Sequence, residues 1–292
     1  MEVIVPRKNL SPSDDIVMKS NAAARCRWEV KSVLEPRLVA LLASKVMPDD
    51  DDFHIYEIPV VELIGKDADG RAYQDLASSI KKLMSKVLTI YEDNGWVMYN
   101  LFNMCRYKRK EGILEVGFHP DLKKHYLHLK SHFIQYSLIE FMQLPSIYSQ
   151  RMYEYLKSWY DKKEFTTTLE YLHDMLSTPP SFRKNFKDFR RYVLDKAHKD
   201  INSKTSLFFK WEAIKEGKAV KTIRFIFDKN ILTTKEQKDI DDKRSYRMRE
   251  TEKFLAQLKC RSVNSADCQG GKNTKEVCEF CINLRNKENI IR

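Results

Sequence analysis

The feature of this sequence that most narrows its possible folds is an element order that occurs twice. In the first pass, FHIYEIPVVELIG reads as a short β-prone piece followed by a short helix. Residues 71–88 follow, with Leu76, Ile80, Leu83 and Val87 at i, i+4, i+7 and i+11, the spacing of one apolar helix face. Gln74, Ser78, Lys81 and Ser85 fall on the other side. Residues 87–118 then read as strands. Asn94-Gly95 marks a tight hairpin, because both central positions of a type I′ turn need positive φ. RYKRKEG, at 106–112, is a second and basic turn. A helical stretch at 15–45, restarted at Pro36, precedes all of this.

In the second pass, 146–162 is an amphipathic helix whose apolar set is Ile147, Met152, Tyr155, Leu156 and Trp159. EFTTT is β-prone, LEYLHDML is a short helix, and STPPS is a turn no helix crosses. A longer helix follows at 183–204, with Phe186, Phe189, Val193, Ala197 and Ile201 on one face. A hairpin turning near Glu216-Gly217 closes the unit. Helix, short strand, helix, basic amphipathic helix, hairpin is the order of a winged helix-turn-helix. The expected fold is therefore α+β: two tandem winged-helix domains, mainly helical, with β-hairpin wings. The expected boundaries are a flexible arm at 1–15, a first domain at 16–118, a second at 119–230, and a basic tail with four cysteines at 231–292. The link HPDLKKHYLHLKSHF is read as an inter-domain packing helix rather than a metal site, despite His119, His125, His128 and His132. The acidic run at 49–52 is a solvated loop without the spacing of a calcium site.

Charge says what such a fold would meet. Lysine and arginine outnumber acidic residues 52 to 41, a formal net charge of +11. An excess of this kind attracts polyanions, since neutralised phosphates release condensed counterions. With 42% hydrophobic and 32% charged residues the chain has a globular rather than a disordered balance. The expected setting is cytoplasmic, with no membrane partner. No run of 18 or more apolar residues exists, and MEVIVPRKNL lacks the pattern of a secretory signal.

The cations concentrate on the helix at 183–204. Arg183, Lys184, Lys187, Arg190 and Arg191, with Asp188 among them, are the candidate DNA-reading residues. Arginine presents a planar fork to guanine or phosphate, and lysine a point charge. The first unit offers Lys81, Lys82 and Lys86 on its amphipathic helix and Arg106, Lys108 and Arg109 at the basic turn. Lysine and serine there suit phosphate contact more than base reading.

In the tail, Cys260, Cys268, Cys278 and Cys281 could close a tetrahedral zinc site, although only the last pair has zinc-knuckle spacing. The alternative is four unligated thiols, so no cofactor is required and structural zinc stays open. Cys26 and Cys105 read as reduced thiols. Gly270-Gly271-Lys272 is not a phosphate-binding P-loop, and no serine-elbow, H-E-x-x-H or paired acidic motif stands out, so no enzyme is expected.

Several runs resemble the initiator Rep proteins of iteron-containing plasmids. They are VMKSNAAARCRW, LEVGFHPDLKKHYLHLKSHF, SHFIQYSLIEFMQLPSIYSQRMYEYLKSW and FKDFRRYVLDKAHKDINSKTSLFFKW. The last contains Asp188-Phe189-Arg190-Arg191 and Asp200-Ile201-Asn202-Ser203-Lys204-Thr205. The resemblance covers roughly 16–230 and does not reach the cysteine tail. It implies two winged-helix domains and monomers bound to directly repeated double-stranded origin sites. It also implies opening of the adjacent duplex, recruitment of the host initiator DnaA and the replicative helicase, and dimers that repress the protein's own gene. On that pattern the helix at 185–202 is the main base reader and the first domain supplies much of the dimer contact. The rival reading is a winged-helix transcriptional regulator with no replication role.

Overall fold

The computed structural model describes residues 16–47, 50–65, 69–92 and 94–227. The first unit begins with strand β1 (Ile16–Ser20), helix α1 (Asn21–Arg25) and helix α2 (Leu34–Ser44), with Pro36 in the first turn of α2. Next come β2 (Ile55–Pro59), α3 (Val60–Ile64) and α4 (Gly70–Met84). The strands β3 (Val87–Glu92), β4 (Gly95–Asn100), β5 (Phe102–Lys108) and β6 (Ile113–Phe118) follow. A 3-10 turn at Pro120–Leu122, the short α5 (Lys123–Tyr126), β7 (Phe133–Ser137) and α6 (Leu138–Met142) complete it.

The second unit runs through α7 (Ile147–Lys157), β8 (Glu164–Thr168), α8 (Leu169–Met175), α9 (Pro180–Lys184) and α10 (Phe186–Phe189). A π turn at Arg190–Leu194 joins α10 to α11 (Asp195–Lys204), and β9 (Phe209–Glu216) and β10 (Ala219–Phe227) close the unit. No described helix is long and apolar enough to cross a membrane.

The repeat read from element order is repeated in topology. Each unit holds a three-stranded antiparallel sheet whose first strand pairs with its third, and the third with its second: β2-β6-β5 and β8-β10-β9. The wings are therefore β5–β6 and β9–β10. The β3–β4 hairpin is an addition to the first unit, a separate two-stranded sheet. Its register pairs Glu92 with Gly95, so Gly95 (φ 144°) opens β4 and does not sit at the centre of the turn, as the Asn94-Gly95 reading had it. At the second wing Gly217 (φ 64°) occupies the turn as expected.

Three expectations change. Residues 16–20 are a strand, not helix, because they pair antiparallel with β7 across more than a hundred residues of chain. The link at 119–133 is accordingly no packing helix: it makes a turn and a four-residue helix, then returns as β7. Val87, expected on the apolar face of α4, starts β3 and is exposed, because α4 ends at the Ser85 cap.

Helix α7 belongs to both cores. Met152, Tyr153, Tyr155 and Leu156 are buried along it. Ser149 Oγ donates to Asp200 Oδ2 in α11 (2.7 Å), while Tyr136 OH in β7 donates to Glu154 Oε1 (2.6 Å). In the second core, Phe165 stacks between Trp159 (5.0 Å) and Phe225 (5.2 Å). On β10, Ile223, Phe225 and Phe227 alternate inward, as a strand with one buried face must.

Candidate nucleic-acid interface

The helix spanning α10, the π turn and α11 stands on the second unit with one face inside. Phe189, Val193, Ala197 and Ile201 are fully buried at a constant four-residue spacing. A four-residue step overshoots a regular α turn by about 40°. Repeated three times, it would carry Ile201 well away from the core. The wider π turn at Arg190–Leu194 takes up that drift and keeps the stripe facing inward. Asn185 caps the start: its Oδ1 accepts the Lys187 N–H (3.1 Å) and its Nδ2 donates to Asp188 Oδ2 (2.7 Å). This places Asp188 at the positive end of the helix, where a carboxylate is favoured.

Lys187, Arg190 and Arg191 are exposed on the opposite side, and Lys184, in α9 ahead of the helix, is exposed as well. They differ in how they are held. Arg190 donates to Asp195 (3.3 Å) and lies 5.7 Å from the Trp211 ring on the wing, so it is braced between helix and hairpin. Arg191 lies 5.3 Å from the Tyr192 ring, which stacks on Phe182 of α9 at 5.9 Å and 8°. Arg183 is placed differently from the expectation. It sits in α9, ahead of the reading helix, and is ion-paired to Asp174 at 2.5 Å. Its first role is to tie α9 to α8. Behind the helix, buried His173 packs 4.4 Å from Phe189 and bonds Thr178 through Nδ1 (2.6 Å). Burial, helped by the Arg183 charge, holds its pKa down at about 4 and keeps the ring neutral.

The wing adds cations that the sequence reading did not name. Lys215, Lys218 and Lys221 are exposed around the β9–β10 turn, on the hairpin that stands beside the reading helix. The signal was available, since the hairpin had been recognised and these lysines lie at its tip.

In the first unit only part of the expected set is presented. Lys81 and Lys82 are exposed in the last turn of α4, where cations also suit the helix dipole. Lys86 is not available: its ammonium is nearly buried, 2.6 Å from the carboxylate of fully buried Glu35. Arg106, still largely exposed, and Lys108 are ion-paired on the sheet. Arg106 pairs with Glu115 (3.1 Å), and Lys108 bridges Glu115 (2.6 Å) and Glu57 (3.1 Å). The bonds to Glu115 and Glu57 push the Lys108 pKa up, and the bond from Lys108 holds Glu115 below its usual range. Arg109 remains exposed at the β5–β6 turn. The four histidines do not converge: His125 is buried against Ser20, and no metal-ligand cluster exists among the described residues. Cys260, Cys268, Cys278 and Cys281 lie outside the described residues, as does the arm at 1–15.

Known proteins match this architecture. The family model described as "Initiator Replication protein, WH1" matches residues 16–157, and that described as "Initiator Rep protein, WH2" matches residues 168–227. A curated "Replication initiation protein" of Escherichia coli is 26% identical over 160 residues, 53% of this chain and 49% of that protein, so the chain spans about half its length. An "Uncharacterized 27.6 kDa protein" of Escherichia coli is 26% identical over 185 residues, 60% of this chain and 77% of that one. Among solved structures, the Pi initiator protein in complex with iteron DNA superposes with a TM-score of 0.58 at 19% identity, over 75% of this chain and 99% of that one. The element order, the two sheets of identical topology and the two family matches together place this chain in the initiator replication protein family, with a WH1 and a WH2 winged-helix domain.

Proposed function

We propose that the chain initiates replication of a plasmid by binding directly repeated double-stranded DNA sites at its origin. It then opens the adjacent duplex and recruits the host initiator DnaA and the replicative helicase. The observation that carries this reading is the outward cationic face of the helix at 186–204, braced from behind by a buried apolar stripe and flanked by a lysine-tipped wing. A helix of that kind enters a major groove, while the wing follows the phosphates. The fold neighbour was solved on iteron DNA, which supports the same target class here.

Footprinting the purified protein on DNA flanking its own gene tests the reading. Protection of an array of direct repeats is the expected result. Protection of one inverted repeat alone would favour a transcriptional regulator, and metal-dependent cleavage would overturn the non-enzymatic reading. Arg190→Ala and Arg191→Ala are each expected to weaken specific binding by ~1–3 kcal/mol and to lower the salt dependence. Unchanged affinity in both would move the reading surface elsewhere.

Self-association, with repression of the protein's own gene, is part of the same proposal. Tyr91 and Trp96 are cross-strand partners on β3–β4, each 61% exposed, and Met98 and Val87 share their face. Solvent-facing aromatics contiguous on one sheet face mark an association surface. Trp96→Asp is expected to raise the dimer dissociation constant more than ~10-fold, since a central aromatic anchor accounts for ~2 kcal/mol or more. Sedimentation over a concentration series would read it, and an unchanged constant would exclude this face.

A further inference from the structure

Between the two units lies a buried ion cluster that the DNA-reading surfaces do not use. Lys19 of β1 is ion-paired with Glu154 of α7, and Arg151 of the same helix donates to the other oxygen of Glu154 at 3.0 Å. Tyr136 OH completes the set at 2.6 Å. The Lys19, Arg151 and Glu154 side chains are all 4% exposed or less. Burial works to raise the Glu154 pKa, but the Lys19 and Arg151 charges prevail and hold it below its usual value. Desolvating three charges is expensive, and a well-packed apolar cluster of the same volume stabilises a fold as well or better. What directional charged bonds add is a single relative placement of the elements they join.

The elements joined here are the two units. Arg151 Nη2 donates to the Cys26 carbonyl at 2.5 Å, lies 3.9 Å from Met175 Sδ at the end of α8, and its guanidinium carbon is 5.5 Å from the Trp28 ring. The segment it pins, 25–28, clasps the second unit. Arg25 donates to the Ser158 carbonyl (2.6 Å) and hydroxyl (2.8 Å). Arg27 approaches Asp174 at 3.6 Å, and Ser177 Oγ donates to the Trp28 carbonyl at 3.3 Å. Asp174 is the carboxylate that also holds Arg183, two residues before the Asn185 cap of the reading helix. Polar contacts joined by short stretches of backbone therefore run from β1 to the start of that helix.

We propose that the Lys19–Glu154–Arg151 cluster is a spacing lock: by pinning the 25–28 clasp against α8, it fixes the separation and phase of the two DNA-binding units. It thereby sets how many base pairs the protein accepts between the two halves of its site. The three residues are positioning residues that touch no DNA. The inference rests on the binding mode proposed above. One added base pair moves the second half-site by ~3.4 Å and rotates it by roughly 35°. A locked pair of units cannot follow that screw motion.

The test measures full-length protein on a protected repeat with its natural spacer and on versions one base pair longer and shorter. The wild-type chain is expected to discriminate sharply. The apolar replacement Lys19→Met/Arg151→Met/Glu154→Leu, checked for folding by thermal melting, is expected to keep binding the natural repeat. Its preference for natural over altered spacing should fall ~10-fold, the scale of one mismatched contact regained. A folded replacement with the wild-type spacing preference overturns the lock. Arg27→Ala/Ser177→Ala, changed at the partly exposed edge of the clasp and away from the cluster, provides the test if the triple variant does not fold. It should relax the preference by ~3-fold, the scale of a surface contact, and an unchanged preference would equally overturn the lock. Wild-type protein that binds repeats without regard to spacing defeats this inference alone. Wild-type protein that binds no repeat defeats the functional reading on which it rests.

Discussion

Taking the protein from pH 7.5 to pH 4 is expected to remove ~6 kcal/mol of folding free energy, a large share of the roughly 5–15 kcal/mol that native proteins have. Two buried histidines in different units carry the effect. His125 and His173 are each 4% exposed, and burial is the first cause that lowers both pKa values to about 4. In the unfolded chain each titrates near its ordinary value of about 6.5. Above that pH both states hold a neutral ring and nothing is lost. Between about 6.5 and 4 the unfolded chain takes up protons that the folded one refuses, and stability falls by roughly 3 kcal/mol per ring. The local geometry agrees. Ser20 Oγ accepts the Ala23 N–H (3.1 Å) and lies 2.9 Å from His125 Nδ1, while the buried Nε2 has no hydrogen-bond partner among the described residues, so the two N–H groups of a protonated ring could not both be satisfied. Urea titrations across this range, followed by tryptophan fluorescence, give the slope directly. His125→Gln with His173→Gln should flatten it, and a wild-type profile already flat from pH 7 to 4 would contradict the assignment.

The second large effect is expected from Phe189→Ala, at ~3–5 kcal/mol of stability. The ring is fully buried beneath the point where α10 passes into the π turn, 4.4 Å from His173 and 6.4 Å from Phe186. Removing it leaves a cavity beneath the stretch that carries the exposed Arg190 and Arg191 and loosens the seat of that helix. DNA affinity should fall together with stability, unlike in the arginine variants, which lose affinity alone. Phe186→Ala, at a half-buried position, should cost visibly less. A Phe189→Ala protein within ~1 kcal/mol of wild type would mean that the helix is held by other contacts.

The second unit was far more legible in the sequence than the first. Its signals are local: the four-residue repeat from Phe189 to Ile201, the Pro179-Pro180 turn and Gly217 each act through neighbours a few positions away. In the first unit the decisive pairing joins Ile16–Ser20 to Phe133–Ser137, and nothing near either strand announces the other. The same limit applies to charge. Lys86 and Lys108 are indistinguishable from Lys81 and Lys82 as letters, and only the fold shows that Glu35, Glu57 and Glu115 have claimed them. Arg183 and Lys184 lie across a helix break from Lys187, because the Asn185 cap divides a run that is uniformly basic on paper.

The wide turn at Arg190–Leu194 bears on how this protein's target can change over time. It holds, in effect, one residue more than a regular helix needs between Phe189 and Val193. Removing one of the exposed residues 190–192 would close the turn into ordinary α-helix and bring those two anchors three positions apart. That spacing still puts them on a common face. The halves on either side would keep their seats while the set of side chains offered to a partner shifted. In this helix, target preference can evolve by insertion and deletion as well as by substitution.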